Sequence, residues 1–288
     1  MRAQGLLDEP PAALDADHVC WADDGERPLS AVAERFLVGG LARGERLLCV
    51  GDDVVDGLRA RPGPLAAVDD LIARGALEVL PTAAAYTGGS GFSAGEQFAY
   101  YDVATARALA DGYRGLRVVA DVTPVAADPA ARAELARWEH LADDFVASGS
   151  GMSALCIYRS DVLEPDVLAA MAAVHPLVHA PEDVVPFRLF FDDGGLVLAG
   201  CVDAFGADRL HAVLTSSPGS WGPVATLDLS GLEFVDAAGC RTLGQWVQEN
   251  AERGVKTQFV DAPRLFRRIW QLVGCPQVAG TRPEGDVE

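Results

Sequence analysis

The chain contains one lysine, Lys256, among 288 residues, and this scarcity excludes several functions. A phosphate-binding P-loop needs G-x-x-x-x-G-K-[ST], whose lysine meets phosphate charge while backbone amides cradle it. The N-terminal half has no lysine, so ATP hydrolysis of that type is not expected there. Cations are few altogether, 23 Lys and Arg against 42 Asp and Glu, giving a net charge of −19. Affinity for a nucleic-acid backbone comes from clustered cations, so direct nucleic-acid binding is not expected. Arg264, Arg267 and Arg268 come nearest to a basic patch, and a solvated helix face accounts for them. No apolar run reaches the roughly 20 residues of a membrane span. The N-terminus is acidic and Pro/Ala-rich rather than basic then apolar, unlike a signal peptide. A cytoplasmic protein without a membrane association is the expectation. The six cysteines lack CxxC spacing and mostly lie in apolar segments, as buried reduced thiols do. No Ser-His-Asp or Cys-His arrangement stands out, so no enzymatic activity is expected.

Length and alternation define what is present. The chain exceeds one ordinary domain, and two is the natural count. Residues 1–16 lack periodicity and read as a disordered acidic tail. From His18, strand-like runs (HVCW, ERLLCVG, ALEVLP, LRVVADV, MSALCIYR) alternate with amphipathic helices. This alternation predicts an α/β fold with a mostly parallel sheet covered on both faces, RecA-like or Rossmann-like, over 17–175. The proline-rich segment 176–186 reads as a linker and 281–288 as a second tail. Residues 187–280 read as a smaller α/β domain: a hairpin turning at Gly194-Gly195, then alternating helices and strands, including a buried strand in TLDLSGLEFV.

Several residues are candidates for ligand chemistry. His18 and Cys20 alternate on one strand and share a face. Cys49 and Cys156 lie on other strands of the same sheet, and Glu139, His140 and His175 belong to the same domain. A soft metal accepts Cys and His, and haem needs one axial ligand. The spacing matches no ligand signature, and structural thiols beside a hydrogen-bonded histidine are the favoured reading, so no residue is assigned to a metal and the cofactor stays open. Redox sensing by Cys20 or Cys49 would require a depressed thiol pKa. The glycine-rich run Gly88–Gly91 reads as a linking loop.

Two resemblances add to this reading. The motifs His18-Val-Cys20, GLARGERLLCVGDD, Trp138-Glu139-His140, LCIYR and His175-Pro176, in that order, resemble a MEDS sensory domain. That likeness implies a RecA-like sheet without a working nucleotide site and the sensing of small molecules. The stretch TLDLSGLEFVDAAG, continuing through CRTLGQWVQENAERGVKTQFVDAPRLFRRIWQLVG, resembles a STAS domain of the anti-sigma-factor-antagonist type. In that family the turn after the aspartate usually carries serines, one of them phosphorylated by a partner kinase. Here those positions are Ala237 and Ala238, which offer no hydroxyl.

The resemblances imply a signalling regulator whose sensor controls a docking turn formed by Asp236, Ala237, Ala238 and Gly239. The implied partner is an anti-sigma factor or related kinase-fold protein, and self-association is possible. Two other readings remain open: a nucleotide-binding remnant or enzyme carrying a STAS assembly module, and a metal, haem or redox sensor using His18 and Cys20.

Overall fold

The apolar runs of the N-terminal half pair into a seven-stranded, wholly parallel sheet in the order β1-β7-β2-β6-β5-β3-β4. These are β1 (Gly5–Leu6), β2 (His18–Asp23), β3 (Arg46–Val50), β4 (Leu77–Leu80), β5 (Leu116–Asp121), β6 (Met152–Arg159) and β7 (Leu177–His179). The structure is a computed structural model and describes residues 2–11, 18–23, 25, 27–61, 63–65, 67–86, 91–181, 184–216 and 223–281. Central strands such as β2 are buried along their whole length, as expected where helices cover both faces.

The two faces have separate cores. Helices α1 (Leu29–Ala42), α2 (Asp52–Ala60) and α3 (Val68–Ala73) pack on the face carrying Val19, Trp21, Leu47, Cys49 and Ile157. On the other face α5 (Ala94–Ala110), α6 (Thr123–Ala127), α7 (Arg132–Ala147) and α8 (Pro165–Ala172) cover Cys20, Leu48, Val118, Cys156 and Tyr158. The chain leaves β3 for α2 on the first face and the adjacent β5 for α6 on the second. A crevice therefore opens at the C-terminal ends of these two neighbours, where open α/β sheets hold ligands.

The second domain has a five-stranded mixed sheet. Strands β8 (Phe187–Asp192) and β9 (Gly195–Val202) form an antiparallel hairpin, and β10 (Val224–Asp228), β11 (Leu232–Val235) and β12 (Lys256–Val260) join in parallel. The hairpin turns at Asp193 and Gly194, both at positive φ. Helices α9 (Ala207–Ser216), α10 (Ala237–Glu252) and α11 (Arg264–Leu272) bury Leu210, Trp246, Phe266 and Trp270 against it. Ala173 and Val174, which follow α8, belong to this second core, and the Leu189 amide donates to the Ala173 carbonyl at 2.6 Å. The two domains are thus packed together rather than strung on a tether.

Three expectations need correction. The segment read as a disordered tail includes β1, which pairs with β7, and Arg2 is bonded to the second domain. The segment read as a linker contains β7, paired with both β1 and β2. Strands of two or three residues are too short to show alternation, and their pairing partners are distant in sequence. The third concerns TLDLSGLEFV, which is divided into β10 and β11. The interruption falls at Leu229–Gly231, where a Cβ on Gly231 would stand 2.8 Å from that of Ala199. Short helices α2, α4 (Thr82–Tyr86) and α6 also lie in stretches where no helix was expected, since five to nine residues carry little periodicity. Gly88–Ser90 of the glycine-rich run lie outside the described residues.

Candidate functional site

Four candidate residues meet beneath the second face of the parallel sheet. His18 comes from β2, Cys156 from β6, Glu139 from α7 and His175 from the turn after α8, all buried. Their donor atoms lie within 4.8 Å of one another. Glu139 Oε2 stands 3.2 Å from His18 Nε2 and 3.4 Å from His175 Nε2, and the Cys156 thiol approaches it at 3.5 Å. The Tyr158 hydroxyl donates to the other oxygen, Oε1, at 2.5 Å. The His18 and His175 rings lie 4.1 Å apart.

A further acid completes the charge pattern. Asp143 is one helical turn after Glu139 on α7, and its Oδ1 meets His18 Nδ1 at 3.2 Å and Arg2 Nη1 at 2.7 Å. Its Oδ2 accepts the Phe191 amide of β8 at 2.6 Å. Burial opposes a charge on His18, yet hydrogen bonds to Asp143 and Glu139 raise its pKa above the ordinary value. Burial likewise works against ionised Glu139, and His175 and His18 overcome it, holding the carboxyl well below its usual range. Burial and the neighbouring His18 charge lower His175. Two buried carboxylates thus face Arg2 and the His18 imidazole, whose charged form they favour, and pairing of this kind is how interior charge is tolerated.

The other candidates divide. Cys20 shares the face with His18, as alternation on β2 required, and burial first, then Glu139, pushes its thiol well up. Cys156 is raised in the same way. Cys49 lies on the opposite face of the sheet, pushed up to about 12 by burial, so it does not join the cluster. These shifts keep the thiols protonated, the reverse of what redox sensing needs. His140 follows Glu139 on α7 but points away. Its Nε2 lies 3.0 Å from the Val213 carbonyl in the second domain, and burial lowers its pKa to about 4.

The crevice at the ends of β3 and β5 is about 650 Å³ where Tyr86, Phe92, Val125 and Ala131 line it beside Asp52, Thr82 and Asp128. An adjoining recess of about 290 Å³ is lined by Asp52, Asp53, Asp121 and Arg159. Arg159 is bonded to Asp161 at 3.0 Å, so the walls are apolar and acidic. Burial raises the Tyr86 hydroxyl, with contributions from Tyr101, Cys156, Glu139 and Asp121. Tyr86 therefore belongs both to the crevice wall and to the surroundings of the buried cluster.

In the second domain Asp236 caps α10. Its Oδ1 accepts the Ala238 and Gly239 amides at 2.8 and 2.9 Å, and Oδ2 accepts Ala204 N at 2.9 Å. Ala237 and Ala238 are half-buried beside it. Gly239 is buried, and a Cβ there would meet Val235 Cγ2 at 2.8 Å and Val202 Cγ1 at 2.9 Å, so its smallness serves the domain's own packing. Two aromatics are exposed beside this turn, Phe205, 94% accessible, and Phe234, 45%, together with Asp203, Ala204 and Glu233. Sequence reasoning missed both aromatics, together with Asp143, Tyr158, Tyr86 and Arg2. Two of these had a signal: Asp143 is i+4 from Glu139 on a helix, and Tyr158 is i+2 from Cys156 on a strand. Arg264 and Arg268 are exposed on α11 opposite buried Phe266 and Trp270, as a solvated face requires.

The profile of the MEDS family (methanogen/methylotroph, DcmR sensory domain) matches residues 17–176. A second profile, described as an MlaB, STAS domain, matches residues 187–278. No curated protein is matched by the chain.

Proposed function

Because the chain belongs to the MEDS family and continues into a STAS domain, we propose a signalling regulator in which a small molecule in the sensor controls partner binding by the STAS surface. The partner class is an anti-sigma factor or related kinase-fold protein, and the docking surface is the capped turn Asp236–Gly239 with Phe205 and Phe234 beside it. One observation carries this reading. Asp143 holds His18 of the sensor through one carboxylate oxygen and the Phe191 amide of the STAS sheet through the other. A change in the sensor core that moves α7 therefore strains a bond to β8.

Regulation by binding, rather than by phosphorylation at this turn, follows from the absence of a hydroxyl at positions 237 and 238. A phosphoserine there would place about −1.5 to −2 charge beside Asp236, and this chain has no acceptor for it. A ligand achieves the same only through unequal affinity for two states. The acidic and apolar crevice favours a neutral or cationic small molecule over a nucleotide, whose phosphates would face Asp52, Asp53 and Asp121 with Arg159 already paired.

The test is differential capture by the full-length protein. Phe205→Ala and Asp236→Lys are expected to lose partners that the unmodified chain retains, with circular dichroism unchanged for Phe205→Ala. Equal recovery by all three baits would show that the surface is wrong. Titration calorimetry with ATP and GTP addresses the crevice separately, and tight nucleotide binding would replace the sensor reading with a nucleotide site.

A further inference from the structure

The buried cluster has a geometric peculiarity that hydrogen bonding alone leaves unresolved. The His175 Nδ1–H donates to the Met171 carbonyl at 2.8 Å, which leaves Nε2 with a lone pair. That nitrogen is fully buried, has no hydrogen-bond partner, and lies 3.4 Å from carboxylate oxygen Glu139 Oε2. A lone pair facing a carboxylate in a dry interior is unfavourable unless something positive stands between them. His18 turns a ring nitrogen to the same centre: Nδ1 is engaged by Asp143 and Nε2 by Glu139 Oε2. Tyr158 occupies Glu139 Oε1 and leaves Oε2 facing inward, and Cys156 Sγ completes the ring.

We propose that His18 Nε2, Glu139 Oε2, Cys156 Sγ and His175 Nε2 form a closed, four-coordinate site for a divalent ion of the zinc class. Zinc takes nitrogen and oxygen at about 2.0–2.1 Å and sulfur at about 2.3 Å in a tetrahedron, which sets ligand separations of about 3.3 Å for N/O pairs and about 3.6 Å for pairs with sulfur. Glu139 Oε2 stands 3.2 Å from His18 Nε2 and 3.4 Å from His175 Nε2. Cys156 Sγ stands 3.5 Å from Glu139 Oε2 and 3.7 Å from His18 Nε2. All donor atoms fall within 4.8 Å. The mixed N, O and S set suits zinc rather than magnesium or calcium. Asp143, the Met171 carbonyl and Tyr158 are the outer groups that orient metal-binding imidazoles and carboxylates.

Loading displaces two protons to solvent, one from between His18 Nε2 and Glu139 and one from the Cys156 thiol. The ion's two positive charges replace theirs, so the charge of the cluster is unchanged. Four protein ligands leave no open position, so the ion is structural, tying β2, β6, α7 and the end of α8 to one point. The site stands apart from the docking surface, and failure of either proposal leaves the other intact.

The experiment uses the full chain made without a histidine tag. Elemental analysis of the isolated protein is expected to find about one zinc-class ion per chain. Chelator-stripped protein given cobalt(II) chloride should show tetrahedral d–d absorption and a thiolate-to-cobalt charge-transfer band. That band should vanish in Cys156→Ser and persist in Cys49→Ser, whose thiol lies on the opposite face of the sheet. Tyr158→Phe should weaken zinc binding about tenfold. A folded, metal-free protein that takes up neither Zn²⁺ nor Co²⁺ would overturn the proposal, as would a thiolate band surviving in Cys156→Ser. If Cys156→Ser does not fold, the metal content and cobalt spectrum of the unmodified chain decide the matter alone.

Discussion

The two domains are built around opposite kinds of interior. Among the described residues the sensor buries His18, Asp23, Glu45, Arg117, Asp121, Glu139, His140, Asp143 and His175, whereas the STAS domain buries Asn250 and Thr281 beside Trp246, Phe259, Phe266 and Trp270. The second core is apolar and aromatic, and its stability comes from area removed from water and close packing. In the first, desolvation of each ion is offset by a partner, an arrangement that adds little net stability compared with apolar packing but is costly to break. The difference separates a core held partly by paired charges from one held by apolar and aromatic packing.

That contrast is open to mutation. The largest effect is expected from Glu139→Ala, which removes one of the two carboxylates holding His18 and leaves the Tyr158 hydroxyl without its acceptor. A loss of about 3–5 kcal/mol in urea unfolding is anticipated, and a loss under about 1 kcal/mol would mean the ionic description of this core is mistaken. Trp270→Ala removes a buried ring packed on Phe259 and Phe266. It should cost about 3–5 kcal/mol as a cavity effect, with the sensor retaining its structure by hydrogen exchange.

Smaller effects probe the seam and the turn. Arg2→Ala deletes the cation that bonds both Asp143 and the Phe191 carbonyl. About 1.5–3 kcal/mol is expected for such charged hydrogen bonds, together with separation of a single thermal transition into two. An unchanged single transition would show that the domains are joined mainly by packing. Least costly is Asp236→Ala, which removes the α10 cap for about 1 kcal/mol and should lower the shared thermal midpoint by about 2–4 °C in calorimetry.

Legibility in the sequence followed the same division. The strands and long helices of both domains were readable because each carries its own period, and the glycines at Gly75 and Gly254 fall just after α3 and α10 at positive φ, as helix ends require. The shared face of His18 and Cys20 was readable from alternation on one strand. The relation of Cys49 to that face was not, because pleat phase between strands depends on register. Adjacent Glu139 and His140 looked equivalent, yet about 100° of rotation per helical residue sends one to the sheet and the other to Val213. Arg2 and β1 were invisible because a two-residue strand acquires meaning only through a partner far along the chain.

That partner's distance has a consequence for how the molecule is assembled. Arg2 is synthesised 190 positions ahead of Asp192, to which its amide bonds, and β1 must wait for β7 before it has an edge to join. This segment therefore cannot complete its contacts until β7 and the first STAS hairpin have been made, and it then closes on the molecule like a latch.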